Sequence, residues 1–177
     1  DLDLSEVIQR VLSHPSVASK SFLITIGDRT VGGLVARDQL VGRYQVPTSN
    51  YAMSTKSFLS NEGDVLSIGE KPTLAIKNPA ASMRMALAEA LMNLISAPVK
   101  NLDLVRLSAN WMAACGDEND NYALRLGVEA LSKICVELGI AIPVGKDSLS
   151  MKTKWHEDGK QLEVKSPLSG IITAMAP

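Results

Sequence analysis

Between Pro79 and Pro98 the sequence runs mainly in Ala, Met and Leu. Among its polar exceptions Ser82, Glu89, Asn93 and Ser96 recur seven, four and three residues apart, which is one stripe on a helix. Glu89 and Asn93 form an i, i+4 pair, side by side on that surface. A helix apolar almost all round is expected to be buried. An ionised carboxylate there must be paired or must coordinate a cation. Two oxygen-bearing side chains at this spacing suit Mg2+, which takes one or two protein ligands and completes its shell with phosphate oxygens. The other reading is that Glu89 pairs with a Lys or Arg from elsewhere in the chain. Periodicity leaves both open.

Other candidate chemistry is thinner. Gly139 to Asp147 approaches a phosphate loop, but five residues separate the glycines and Asp147 follows Lys146, so the Walker pattern fails. Gly145-Lys146-Asp147-Ser148 would bring a cation, a carboxylate and a hydroxyl to a strand end, although an ordinary turn explains it as well. His14 and His156 share no metal-ligand spacing with Cys115 or Cys135. Lys20 is placed to meet a phosphate, or else is simply solvated. Trp111 and Trp155 read as packing residues.

These groups need elements to hold them. Ser5 is the expected N-cap of a first helix with Val7, Ile8, Val11 and Leu12 on one face, ended by His14-Pro15. Phe22 to Ile26 reads as a strand, Thr30 to Val41 as strand-like with Gly32-Gly33 as a bulge, and Tyr44 to Val46 as extended. Tyr51 to Met53 and Asp64 to Glu70 read as further short strands. The Ala80–Ala97 run predicts the long helix, with Pro79 and Pro98 as its limits. A strand follows over 102–112. A second helix carries Leu124, Val128, Leu131, Cys135 and Leu138 on one face and ends at Gly139 as C′. Ile140 to Val144 is a short strand, and residues 149–155 and 162–175 form an expected final pair joined across His156 to Gly159. Strands first, then helix, strand, helix and strands predict an α+β fold, a mixed β-sheet with helices packed on one face.

The 177 residues are 46% hydrophobic and 21% charged, which fits one globular domain over residues 1–177 and excludes low-complexity or collagen-like chains. Eighteen basic against nineteen acidic residues leave a net charge of −1, with no electrostatic footprint for nucleic acid or anionic lipid. No apolar run approaches the roughly 18 residues of a membrane span. Two cysteines make no disulfide framework and favour a reducing, cytoplasmic compartment. The chain opens Asp1-Leu2-Asp3 with no initiator Met and no signal-peptide pattern, and is expected to be a piece of a longer enzyme.

Several segments, taken in order, resemble one family. They are His14 to Leu23, Val35 to Gln39 with Val41-Gly42, Ser67-Ile68-Gly69-Glu70, Glu89 to Asn93, Leu107 to Met112 and Pro143 to Ser148. Together they resemble the large single-chain form of phosphoribosylformylglycinamidine synthase, within the N-terminal aminoimidazole ribonucleotide synthetase-like domain of its second synthetase half. The resemblance covers nearly the whole chain. It implies a purine-biosynthetic ligase that converts formylglycinamide ribonucleotide to the amidine with ATP and glutamine. ATP activates the formamide oxygen, and ammonia from a separate glutaminase domain attacks.

The same resemblance implies Mg2+ and ATP or ADP as cofactors, with Glu89 and Asn93 as metal ligands. Ser49 falls at a nucleotide-contacting position, and Lys20 matches a lysine expected to meet phosphate. Asn50 stands where the family has a metal-binding Asp, so cation affinity at this auxiliary nucleotide site is expected to fall. No residue of this chain is expected to be catalytic in itself. The implied partners are the first synthetase half, whose sheet pairs with this one, and the glutaminase domain; neither is encoded here, so the chain alone should be inactive. The alternative is a scaffold domain whose nucleotide site has decayed. A selenophosphate or thiamine-phosphate kinase is disfavoured, because the glycine-rich or Asp-Gly N-terminal signatures are not visible.

Overall fold

The computed structural model describes residues 3–27 and 31–177. They fall into two compact units, one ending at Gly33 and one running from Leu34 to Pro177.

The first unit holds helix α1 (Leu4–Ser13), helix α2 (Ser21–Ile26) and a 3-10 turn (Val31–Gly33). Asp3, not Ser5, is the N-cap of α1: its side chain accepts from the Ser5 N–H, and Glu6 follows in the first turn. His14 ends the helix as expected. Phe22 to Ile26 is helical rather than a strand. A short apolar run does not distinguish the two by periodicity, and the Thr25 hydroxyl returns to the Ser21 carbonyl at 2.8 Å, a bond that an extended strand cannot make. Of the strand-like stretch Thr30 to Val41, residue 30 lies outside the described residues, Val31–Gly33 is a 3-10 turn rather than a bulge, and the strand is confined to Val35–Arg37.

The second unit contains strands β1 (Val35–Arg37), β2 (Ala52–Thr55), β3 (Gly63–Gly69), β4 (Arg106–Met112), β5 (Ala141–Ser148), β6 (Lys152–Glu157), β7 (Lys160–Lys165) and β8 (Ser169–Ala176). Its helices are α3 (Pro72–Ala75), α4 (Pro79–Leu94) and α5 (Glu118–Leu138). Six strands form one sheet in the order β1-β2-β3-β8-β4-β5, antiparallel throughout except for the parallel pair β4-β5. The β6-β7 hairpin is separate. This is the expected α+β architecture, a mixed sheet with α4 and α5 on one face.

The core follows from alternation. Along β3, Val65, Ser67 and Gly69 are buried while Leu66 and Ile68 are exposed. Ile172 and Ala174 of β8 and Leu107 and Ala109 of β4 continue the buried face, and Met83, Leu87 and Leu131 fill it from the helices. Gly139 closes α5 at a φ of 69°, the left-handed C-terminal position read from the sequence.

Five further local expectations change. The strand read over 102–112 begins only at Arg106, because Leu102–Leu104 forms a 3-10 turn. Tyr44 and Gln45 belong to a turn rather than an extended segment, with Gln45 at a positive φ of 49°. Strand β5 runs on through Lys146 to Ser148, so that stretch is no turn: it pairs in parallel with Asn110, Trp111 and Met112. The long apolar stretch after residue 162 is two strands, because β7 ends at Lys165 and β8 enters the centre of the sheet after Pro167. Finally, α4 is buried on one face only; its Met85 and Met92 are exposed, as is Ile95 just past its end.

Candidate functional site

The Glu89–Asn93 stripe lies where α4 crosses the C-terminal end of β3. Pro79 opens the helix behind Asn78, whose side chain accepts from the Ala81 N–H at 2.9 Å. Two small residues on β3 let the helix settle close. Ser67 donates its hydroxyl to the Ala90 carbonyl at 2.7 Å. At Gly69 a Cβ would stand 2.1 Å from the Ala86 carbonyl oxygen, so only glycine admits this approach. The same seating hangs Asn93 and Glu89 on the strand end: Asn93 Nδ2 donates to the Ile68 carbonyl at 3.0 Å, and Glu89 Oε2 accepts from the Glu70 N–H at 2.9 Å.

Glu89 also has a charged partner. Its Oε1 accepts from Lys71 Nζ at 2.6 Å. Burial pushes the Glu89 carboxyl up, but the Lys71 hydrogen bond, the Glu70 N–H and the ammonium charge outweigh it and hold it below the usual carboxylate value. The pairing with a Lys, left open by the sequence, is therefore present. Lys71 itself is missed by periodicity because it lies 18 residues away. Its backbone is fixed by Ser82 of the same α4 stripe, wholly buried, whose hydroxyl donates to the Lys71 carbonyl at 2.6 Å.

Ser49 and Asn50 sit on the segment entering β2. The register that sets Ala52 against Leu66 carries this segment toward the same end of β3. Ser49 Oγ accepts from Arg37 Nε at 2.8 Å and donates to the Tyr51 carbonyl. The Arg37 guanidinium lies over the Tyr51 ring, 4.5 Å from its centroid. Arg37 and Tyr51 thus hold Ser49 in place, a role no sequence spacing reveals. Asn50 is exposed beside them. Lys20 belongs to the first unit, where it precedes α2 and its Nζ donates to the Ala18 carbonyl at 2.6 Å.

Glu89 and Asn93 bring one carboxylate and one amide to the end of β3, and Asn50 lies on the segment entering the neighbouring strand. That matches a Mg2+ held through one carboxylate with phosphate oxygens completing its shell, on the condition that Lys71 gives up Oε1. Among the described residues no three His, Cys, Asp or Glu side chains gather as a self-sufficient metal site. A cavity of about 460 Å³ lined by Met53, Lys56, Glu62, Val99 and Leu104 opens at the other end of β3 and includes none of these residues. Among the described residues no helix is long and apolar enough to cross a membrane.

The six-stranded mixed sheet with two long helices on one face is that of an aminoimidazole ribonucleotide synthetase-like N-terminal domain, the class to which the family match assigns it. The chain belongs to the family described as the FGAR-AT PurM_N-like domain, which it matches over residues 19–177. It is 51% identical over 175 residues to phosphoribosylformylglycinamidine synthase of Schizosaccharomyces pombe, covering 97% of this chain. It spans only 13% of that relative's length. Two solved structures share the fold at 17% identity. PurLQS from Thermotoga maritima has a TM-score of 0.53, covering 80% of this chain and 24% of that one. PurL of the same organism, complexed with ADP, has a TM-score of 0.52, covering 72% and 20%.

Proposed function

We propose that this chain is the N-terminal domain of the second synthetase half of a phosphoribosylformylglycinamidine synthase, and that it contributes an auxiliary nucleotide site and a sheet-pairing face. The whole enzyme would convert formylglycinamide ribonucleotide to the amidine with ATP and with glutamine as nitrogen donor, in the cytoplasm. Ammonia would come from the enzyme's glutaminase domain, and this chain alone would be inactive.

Glu89 and Asn93, with Asn50 at reduced strength, are the oxygen donors that would hold Mg2+, and Ser49 would meet the nucleotide; for Lys20, in the first unit, the resemblance implies a phosphate contact. When bound, Mg2+ neutralises the phosphate charge. The chain's own part is positional. Gly69 and Ser67 seat α4 on β3, Ile68 and Glu70 orient the amide and carboxylate, and Arg37 holds Ser49. The observation that carries this reading is the convergence of Glu89 and Asn93 on the end of β3, in a chain 51% identical to an enzyme of that name.

A second reading, a scaffold with a lapsed nucleotide site, draws on Asn50 and on the Lys71 ammonium seated at Glu89. Calorimetric titration of the full-length protein with Mg·ADP separates the two. A binding component that is lost on Glu89→Gln supports the nucleotide site. Heats identical in wild type and Glu89→Gln support the scaffold.

A further inference from the structure

We propose that Lys71 is a tethered counter-cation that holds the Glu89 carboxylate until nucleotide phosphate draws it away, so that a divalent ion enters this site together with phosphate and not before it. The inference rests on the reading of Glu89 and Asn93 as metal ligands.

The geometry separates a fixed part of Lys71 from a movable one. Its carbonyl is tied to the Ser82 hydroxyl at 2.6 Å, with Ser82 wholly buried, and Pro72 follows and restricts its backbone. Its ammonium, at the end of a flexible stem, meets Glu89 Oε1 at 2.6 Å with 38% of the side chain exposed. The ammonium can therefore leave without disturbing the core, and it returns to the same carboxylate because its root does not move. While it stays, both carboxylate oxygens are engaged, one by Lys71 and one by the Glu70 N–H.

Charge then sets the order of events. Glu89 and Lys71 cancel and Asn93 is neutral, so the paired carboxylate offers little net attraction for a dication; the neighbouring acid, Glu70, meets Glu89 through its backbone N–H and is itself exposed. A metal ion arriving alone must displace the ammonium from its carboxylate, and two cations sharing one carboxylate repel each other. A phosphate changes both conditions. It supplies hard oxygens to the metal and gives the three N–H donors of Lys71 a new acceptor. Metal and nucleotide are thereby coupled, and the coupling is reciprocal.

The experiment uses the full-length protein, Mn2+ as probe, and Glu89→Gln to identify the binding that belongs to this site. In wild type, the Glu89-dependent affinity for Mn2+ should rise about tenfold or more when ADP is present, within the usual range of coupling between sites. In Lys71→Met, Mn2+ alone should bind about tenfold more tightly than in wild type, and the gain from ADP should shrink to about twofold. Lys71→Arg, which keeps the charge, should retain the wild-type coupling and guards against a fold defect in Lys71→Met. The proposal is overturned if Lys71→Met binds Mn2+ alone no better than wild type while Glu89→Gln still abolishes Mn·ADP binding; the site reading then stands. If Glu89→Gln leaves Mn·ADP binding untouched, the site reading falls and takes this proposal with it.

Discussion

Gly69 of β3 lies so close beneath Ala86 of α4 that a Cβ at residue 69 would stand 2.1 Å from the Ala86 carbonyl oxygen and 2.5 Å from the Ala90 nitrogen. Both obstacles are helix backbone, which cannot swing aside. Gly69→Ala must therefore lift α4 off the strand, at a cost of about 2 kcal/mol or more in stability. Because Glu89 and Asn93 reach β3 from the same helix, their bonds to Glu70 and Ile68 would loosen together. Denaturant unfolding, with amide exchange at residues 68–70, should show both changes. A variant of unchanged stability would overturn this account of how α4 is seated.

Ser82 provides a different kind of support. It is wholly buried, and its hydroxyl donates to the Lys71 carbonyl at 2.6 Å. Ser82→Ala removes the donor and leaves that carbonyl short of a partner, which costs on the order of 1–3 kcal/mol. Ser82→Cys keeps a weak donor of similar size and should fall between the two. Chemical denaturation of the three proteins orders them, and equal midpoints would show that water replaces the bond.

The β6-β7 hairpin is pinned to the start of α5 by charge. Lys165 donates to Asp117, the N-cap of α5, and to Asp120 at 2.9 Å. The Lys165 hydrogen bond, then the Asp120 N–H, holds the Asp117 carboxyl far below the usual carboxylate range. The same Asp117 bond, then Asp120, holds the Lys165 ammonium above the usual amine value. A depressed carboxyl stabilises above its unfolded pKa, about 3.9, and that contribution fades as pH falls toward the folded value. A raised amine stabilises below its unfolded pKa, about 10.4, and that contribution fades as pH rises further. Hairpin protection against hydrogen exchange should thus be flat from about pH 5 to pH 9 and decline on either side. Lys165→Met should lower it across the plateau, and should spare the β3-β8 ladder.

What the sequence makes legible depends on range. The runs that became α4 and α5 are long enough for composition and period to decide, and the i, i+4 relation of Glu89 and Asn93 survives folding unchanged. Ser21–Ile26 is too short for that: six residues rich in apolar and β-branched types satisfy helix and strand alike, and a local hydroxyl bond from Thr25 goes with the helix. Lys146 to Ser148 looks like a turn in isolation and is a strand only because β4 offers it a parallel partner. The site divides in the same way. Its helix stripe is local, whereas Lys71 reaches Glu89 across 18 residues and Arg37 reaches Ser49 across 12, through contacts that exist only once the sheet is built.

The sheet face turned away from α4 makes the last prediction. On β3, Ile68 is 55% exposed and Leu66 37%, and Val144 of β5 is 56% exposed. Ile68 pairs across the ladder with Thr173, on the face opposite the buried Ser67 and Gly69. A β-branched residue left in water gains nothing from burial, so this face is the one proposed to pair with the sheet of the first synthetase half. Ile68→Asp would then place an unpaired carboxylate in that interface, destabilising the full-length protein by on the order of 3 kcal/mol. Val136→Asp is the control, since Val136 lies on α5, away from this face, and is 79% exposed. A surface change of that kind stays within about 0.5 kcal/mol. Thermal unfolding of the two full-length variants decides the matter: a selective drop for Ile68→Asp supports sheet pairing, and equal melting temperatures reject it.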